Sequence, residues 1–310
     1  MKQHWIYTAM VLIHSWLPGC SKPAHGIDSF AHRAQIEEWR QERLARLTSE
    51  TGWLTVCGLF WLKQGPNRCG SDSSNEVIFP RGKAPALVGT FWRTDTRIRF
   101  GAHPGVETRS ADSLVISLVM KSDNEEGGPT ILTHGSLSFY IIKRRDSLGV
   151  RVKDKKNPAR VAFKGLEYFP IDLMWRIQSK FEPYTPPRVL QVPSVVKTVE
   201  DFSCPGALVF EHDGKTYRLD AVVESGSEQE LFIMFSDQTN GGETYGGGRQ
   251  LYTDLPDTSG IVVLDFNKAY NWPCVFSKYA TCPIPPPQNH LPFRVIAGEK
   301  TYAGHQPDPG

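Results

Sequence analysis

The sequence has 310 residues, of which 40% are hydrophobic and 22% charged, and its formal net charge is +2. Domains that bind nucleic acid usually carry a strong basic cluster, but acidic residues follow or interrupt the basic runs here, at 143–145 and 151–156. We therefore predict no nucleic-acid partner. The length is compatible with one β-rich domain.

The chain opens with a predicted export signal. Lys2 is positively charged, residues 5–17 are mostly apolar, and Leu17-Pro18-Gly19-Cys20 resembles a bacterial lipobox, whose cysteine is lipidated after cleavage. The apolar run of about 13 residues is shorter than the roughly 20 that cross a bilayer. We predict a signal peptide over 1–19, lipidation of Cys20 and a tether over 20–29. The protein would lie in the cell envelope, with the lipid as its membrane contact, and Ser21 favours the outer membrane.

The body of the chain reads as one helix followed by many strands. Residues 30–47 predict an amphipathic helix, because apolar residues recur near helical spacing; these are Ile36, Trp39, Leu44 and Leu47. From residue 76 to 224, β-prone runs alternate with turns. The clearest is a hairpin around Asp213-Gly214, a pair that suits a type I′ turn. We predict a mainly β fold, an antiparallel β-sandwich or barrel-like sheets with an N-terminal helix. It forms a single domain over 30–303 with a flexible tail at 304–310.

The polar residues that suggest a function concentrate after residue 235. Two β-prone runs, 231–235 and 261–266, flank glycines that permit positive φ angles. The candidates in and after this loop are Asp237, Asn240, Glu243, Tyr245, Arg249, Tyr252, Asp265, Asn267, Tyr270 and Asn271. Aromatic rings beside amides and acids suit the binding of a sugar or small molecule, and they also suit the edge of an ordinary core.

The three carboxylates of this region have two interpretations. Asp237, Glu243 and Asp265 are candidates for general acid and base, and the aspartates are alternatively turn caps that accept backbone N–H groups. Arg249 either binds an anionic ligand or pairs internally with Asp265 or Asp237. We expect residues 249–253 and 261–267 to form a hairpin that brings Arg249 close to Asp265.

Cysteine and histidine spacing limits the remaining chemistry. After Cys20, five of the six cysteines remain. An exported compartment permits a disulfide between Cys274 and Cys282; the alternative is two separate buried thiols. The nine histidines show no metal-binding spacing, and the glycines lack the pattern of a nucleotide loop. We predict neither a metal nor a cofactor.

Several phrases of the sequence resemble a known family. In the C-terminal half they are Thr239-Asn240-Gly241, Thr244-Tyr245-Gly246, Gly248-Arg249, Leu264-Asp265-Phe266-Asn267, Ala269-Tyr270-Asn271, Pro273-Cys274, Ala280-Thr281-Cys282-Pro283 and Ala297-Gly298-Glu299-Lys300. Upstream they are Gly52-Trp53-Leu54, Gly58-Leu59-Phe60-Trp61-Leu62, Gly65-Pro66-Asn67 and Gly70-Ser71-Asp72. Over roughly residues 39–300 the chain resembles the bacterial and archaeal domain of unknown function 1684, although Trp272 stands where that family usually carries proline. The resemblance implies no activity.

The leading hypothesis from the sequence is an exported lipoprotein that binds a small molecule or glycan through residues 237–290. One alternative is a hydrolase that uses Asp237 and Asp265 as acid and base. The other is a structural protein of the envelope, in which these residues only stabilise the fold.

Overall fold

The computed structural model describes residues 28–224 and 226–304. Of its residues, 45% lie in strands and 14% in helices, which confirms the predicted mainly β fold with antiparallel sheets and an N-terminal helix. The predicted signal peptide, Cys20 and residues 305–310 lie outside the described residues. Within them, no helix is both long and apolar enough to cross a membrane.

The N-terminal helix, α1, spans Ser29–Thr48, and a short second helix, α2, spans Pro158–Val161. Single 3-10 turns lie at Trp53–Thr55, Leu173–Trp175, Phe266–Lys268, Pro273–Val275 and Pro287–Asn289. Helix α1 buries Ile36 and Leu47, but Leu44 is 40% exposed. The prediction that Leu44 belongs to the buried apolar face of this helix is therefore wrong. The buried face of α1 instead includes two polar side chains, His32 and Arg43.

Two sheets form an N-terminal β body. Its strands are β1 Val56–Trp61, β2 Gly65–Gly70, β3 Val77–Ile78, β4 Gly89–Thr94, β5 Arg97–Ala102, β6 Arg109–Ser110, β7 Ser113–Leu114, β8 Ser117–Met120, β9 Leu132–His134, β10 Leu137–Arg144 and β11 Ser147–Asp154. The strand orders are β1-β11-β10-β9-β6-β7 and β3-β2-β4-β5-β8. Both sheets contribute to one apolar core, in which Phe91 and Phe100 of one sheet meet Phe139 of the other.

A third sheet forms the C-terminal β body. Its strands are β12 Arg176–Pro193, β13 Val199–His212, β14 Lys215–Val223, β15 Glu230–Asp237, β16 Arg249–Asp254, β17 Ile261–Asp265, β18 Tyr270–Asn271 and β19 His290–Leu291. The order is β17-β12-β13-β14-β15-β16-β18, with β19 parallel to β15. Asp213 and Gly214 both have positive φ, 49° and 70°, and join β13 to β14 as the Asp-Gly pair predicts.

The prediction that residues 249–253 and 261–267 form a hairpin is wrong. Strand β16 pairs with β15 and β18, whereas β17 pairs with β12. Strand β17 also ends at Asp265, because the chain turns into a 3-10 helix whose free N–H at Asn267 is capped by Asp265 Oδ1 at 3.0 Å. The order of strands in the sheet, rather than their succession in the chain, sets the neighbours of Arg249.

The C-terminal sheet is covered on both faces. Alternate residues of β15 point to opposite faces, so Leu231, Ile233 and Phe235 enter one core. Phe232 and Met234 face the other side, beneath Trp272 and Cys282. A disulfide between Cys274 and Cys282, with Cα atoms 6.2 Å apart, closes the segment that covers this second face. The free thiols among the described residues are Cys57, Cys69 and Cys204.

Candidate functional site

A cavity of about 390 Å³ lies on the second face of the C-terminal sheet, beneath α1 and beside the N-terminal body. Strand register builds its floor. Phe232 stands opposite Tyr252, and Gln250 stands opposite Tyr270. Residues directly opposite each other project to the same face, so all four side chains line one surface. The other walls include Arg43 and Leu47 of α1, Trp53, Phe202, Trp272 and Arg144 of β10.

Two glutamates line this cavity. Glu200 lies in β13 with Nε of Arg144 at 2.9 Å, and Glu224 directly follows β14 and accepts a hydrogen bond from the Tyr252 hydroxyl. Burial raises the pKa of Glu200, and Arg144 opposes the shift. Burial also raises the pKa of Glu224, where the Tyr252 hydrogen bond opposes it. Both carboxylates therefore hold a proton more readily than an exposed glutamate does.

Arg144 connects the N-terminal body to the cavity wall. Its Nη1 lies 2.8 Å from Asp123, and its Nε donates to Thr281 Oγ1 at 3.2 Å. Arg151, which is 3% exposed, donates to the same hydroxyl at 3.4 Å and lies 5.0 Å over the Trp53 ring. Charged groups from the N-terminal body thus fix one wall of a cavity whose floor belongs to the C-terminal sheet.

Three of the residues predicted from sequence line the cavity. They are Tyr252, Tyr270 and Asn271. The Arg43 guanidinium lies over the Tyr270 ring, 4.6 Å from the ring centroid. Asn271 is fully buried, and its amide donates to Lys300 O at 2.6 Å, which leaves Oδ1 without a hydrogen-bond partner among the described residues.

Asp237 and Arg249 are buried together outside the lining of this cavity, with the partly buried Asn240 beside them. Arg249 Nη2 donates to Asp237 Oδ2 at 2.8 Å, and neither side chain is exposed. Asn240 closes the loop after β15 by accepting from the Asp237 N–H at 2.6 Å and donating to Tyr245 O at 2.8 Å. Of the predicted partners of Arg249, the structure selects Asp237, so the expectation that Arg249 meets Asp265 is wrong.

Asp265 and Asn267 belong to a different network. Asp265 Oδ2 lies 2.8 Å from Nε2 of His32 on α1, and its Oδ1 accepts from the Asn267 amide at 2.8 Å. Asn267 also exchanges two hydrogen bonds with the backbone of Asp172. Asp265 contributes to a second, more polar cavity of about 560 Å³. Asp237 Oδ1 also accepts from the Thr239 N–H at 2.8 Å, and Asp265 Oδ1 accepts from the Asn267 N–H at 3.0 Å, so both aspartates cap turns as their alternative interpretation predicts.

Glu243 and Tyr245 also lie outside the 390 Å³ cavity. Glu243 forms an ion pair with Arg294 at the surface, where both side chains are about half exposed. Tyr245 packs, half-buried, against the core that includes Phe232 and Trp272. No group of three potential metal ligands occurs within residues 28–224 and 226–304.

The two glutamates and most of the aromatic residues that line the cavity were not predicted from the sequence. Glu200 and Phe202 are two positions apart in a strand and therefore share a face, which is the one local signal that pointed to them. Glu224 ends a β-prone run, and Arg43 lies in the predicted amphipathic helix but outside its apolar positions. Nothing in their spacing indicates that they meet Tyr252 and Tyr270.

The architecture defines a mainly β protein of largely antiparallel sheets, with an N-terminal helix docked beside a cavity. Residues 161–300 match the family model described as protein of unknown function DUF1684. An uncharacterised protein from Haloarcula marismortui, solved by NMR in solution, is 33% identical; the alignment covers 47% of this chain and 81% of that one, with a TM-score of 0.38. The chain belongs to the DUF1684 family. No curated protein matches it.

The family match covers the C-terminal body and not all of the cavity. Glu200, Glu224 and Tyr252 fall within residues 161–300, whereas Arg43 and Arg144 fall outside them. The floor and both glutamates therefore lie in the matched region, and the wall from α1 and the N-terminal body lies beyond it.

Proposed function

We propose that this protein binds a small organic molecule in the 390 Å³ cavity, and that it does so as a lipoprotein of the cell envelope. The single observation that carries the binding proposal is the composition of the cavity, which combines aromatic rings with partly buried ionisable groups. Sites for small molecules are typically concave, about 300–1,000 Å³ in volume, and mostly apolar with a few oriented polar groups. The envelope location rests on the N-terminal sequence alone.

The proposed site differs from the one expected from sequence. It keeps Tyr252, Tyr270 and Asn271 and replaces the remaining candidates with residues from β13, β14 and α1. The polar loop around Asp237 and Arg249 instead supports the floor, because Arg249 begins β16, the strand that carries Gln250 and Tyr252. A hydrolase acting through Asp237 and Asp265 gains no support from this geometry, since each carboxylate already has its own partner.

A thermal-shift screen of residues 21–310 against metabolites and small glycans tests the proposal, because a ligand that binds the native state raises its melting temperature. Hits are then titrated against the Phe202→Ala variant. Phe202 lines the cavity, so we expect the hits to bind about tenfold more weakly, a change of about 1.4 kcal/mol.

The matched control is Trp92→Ala, which removes a half-exposed aromatic ring from β4, a strand that does not line this cavity. The control should leave the affinity unchanged. Hits that bind both variants and the wild type equally well would place the ligand elsewhere, and a library without hits would remove the proposal.

A further inference from the structure

The arginines that line the cavity already have carboxylate partners. These pairs are Arg43–Glu299 at 2.9 Å, Arg46–Glu42 at 3.6 Å and Arg144–Glu200 at 2.9 Å. Arg144 has a second partner in Asp123 at 2.8 Å. A ligand would have to displace one of these carboxylates to form an ion pair with a lining arginine.

Glu224 is the exception among the charged groups of the wall. It forms no ion pair with any cation of the described chain, and its hydrogen-bond partner is the neutral hydroxyl of Tyr252. The side chain is half-buried, so its carboxylate is only partly solvated. An ionised carboxylate in such a place attracts a cation more strongly than it would at an exposed surface.

Aromatic rings line the same cavity as this carboxylate. Tyr252 stacks on Phe232 with ring centroids 4.7 Å apart, and Phe232 meets Trp272 edge-on at 5.9 Å. Cations are attracted to the faces of such rings. The protein already uses this contact in the same wall, where Arg43 lies over Tyr270.

We infer that the ligand of this cavity is a small organic cation, a primary amine on an aromatic or apolar body, whose ammonium group binds Glu224. The inference rests on the proposed function and names its ligand class. The carboxylate of Glu224 accepts N–H hydrogen bonds, which a primary ammonium donates and a quaternary one lacks. The body of the ligand packs against Phe232, Tyr252 and Trp272.

One buried group, the Arg151 guanidinium, favours a ligand of negative charge instead. Arg151 forms no ion pair within the described ranges, and it lies beneath Trp53. It is 3% exposed and stands behind the lining side chains rather than among them, so a ligand meets Glu224 first. An anionic ligand is therefore the competing outcome that the experiment must separate.

The test uses three probes that share a phenyl ring: 2-phenylethylamine, 2-phenylethanol and phenylacetate. Their affinities are measured by calorimetry at pH 8 and low ionic strength, where surface screening is small. We expect the amine to bind at least tenfold more tightly than the alcohol, and phenylacetate to bind most weakly. Glu224→Gln should reduce the affinity of the amine to that of the alcohol.

A matched variant serves as the control. Glu211→Gln makes the same chemical change at an exposed position of β13, outside this cavity, and should keep the preference for the amine. The comparison of the three probes in the wild type tests the charge of the ligand even if Glu224→Gln folds poorly.

Tighter binding of phenylacetate, equal binding of the amine and the alcohol, or an unchanged preference in Glu224→Gln would overturn the inference while leaving the cavity as a binding site. Failure of all three probes would overturn it as well. The proposed function fails with it only if the wider library also yields no ligand whose affinity depends on Phe202.

Discussion

Arg249 and Asp237 form an ion pair that is closed to solvent, with Nη2 2.8 Å from Oδ2. The guanidinium also donates to the carbonyl oxygens of Val295, at 2.8 Å, and Ala297. Burial lowers the pKa of Arg249, and Asp237 opposes that shift. The pair joins β15, β16 and the C-terminal segment at one point, so its role is to hold the sheet together.

We predict that Asp237→Ala lowers the free energy of unfolding by about 3–5 kcal/mol, because it leaves a buried guanidinium without its counter-charge. Arg249→Ala should have a similar effect. Since the two residues are in contact, the double variant should lose less than the sum of the single losses, with a coupling above about 0.5 kcal/mol. Urea denaturation measures each value.

The exposed pair Glu243–Arg294 is the matched control, because it lies in the same region with both side chains about half exposed. Its removal should cost less than about 1 kcal/mol. Equal losses from the buried and exposed pairs would contradict this account of Arg249.

The second prediction concerns the attachment of α1. His32 and Asp265 are 233 positions apart in sequence and 2.8 Å apart in the structure, both buried. His32→Ala removes this bond and leaves the Asp265 Oδ2 unpaired, so we expect a loss of about 1–3 kcal/mol. In the His32→Ala variant, amide hydrogen exchange should be accelerated more over residues 29–36 than in β13, relative to the wild type. Replacement of the exposed Arg33 on the same helix is the control, and uniform exchange in both variants would show that His32 does not anchor α1.

The third prediction follows from the pKa of Glu224, which burial raises above that of an exposed glutamate. The folded state therefore binds the proton more tightly than the unfolded state. The stability contributed by protonation is fully present below about pH 4.5 and is lost as the pH rises through the folded-state pKa. Gln mimics the protonated form, so Glu224→Gln should melt at a higher temperature than the wild type at pH 8 and at the same temperature near pH 4. A difference that is independent of pH would sink this prediction.

The fourth prediction tests the envelope location. Cys20→Ala should abolish lipidation and move the protein from the membrane fraction to the soluble fraction, whereas Ser21→Ala should leave it membrane-bound. Mass spectrometry of the N-terminus, together with fractionation, gives the readout. A wild-type protein found in the cytoplasm with residues 1–19 intact would contradict both the signal peptide and the compartment.

Local patterns accounted for much of the fold. Alternation and the Asp213-Gly214 pair predicted the β13–β14 hairpin because both strands and the turn lie within one short segment. The run 30–47 predicted α1 to within a residue or two. The prediction that Leu44 is buried failed because docking of α1 buries the polar side chains of His32 and Arg43, which find partners only in the folded protein.

The sequence by itself determined the mainly β class, the N-terminal helix, the family and a polar loop after β15. It did so because turn chemistry, strand alternation and motif spacing are properties of neighbouring residues. Only the tertiary structure decided that Arg249 pairs with Asp237 and that Glu224 meets Tyr252 in a cavity. Those contacts depend on strand order and on the docking of α1 and the N-terminal body, which bring together residues that no local spacing relates.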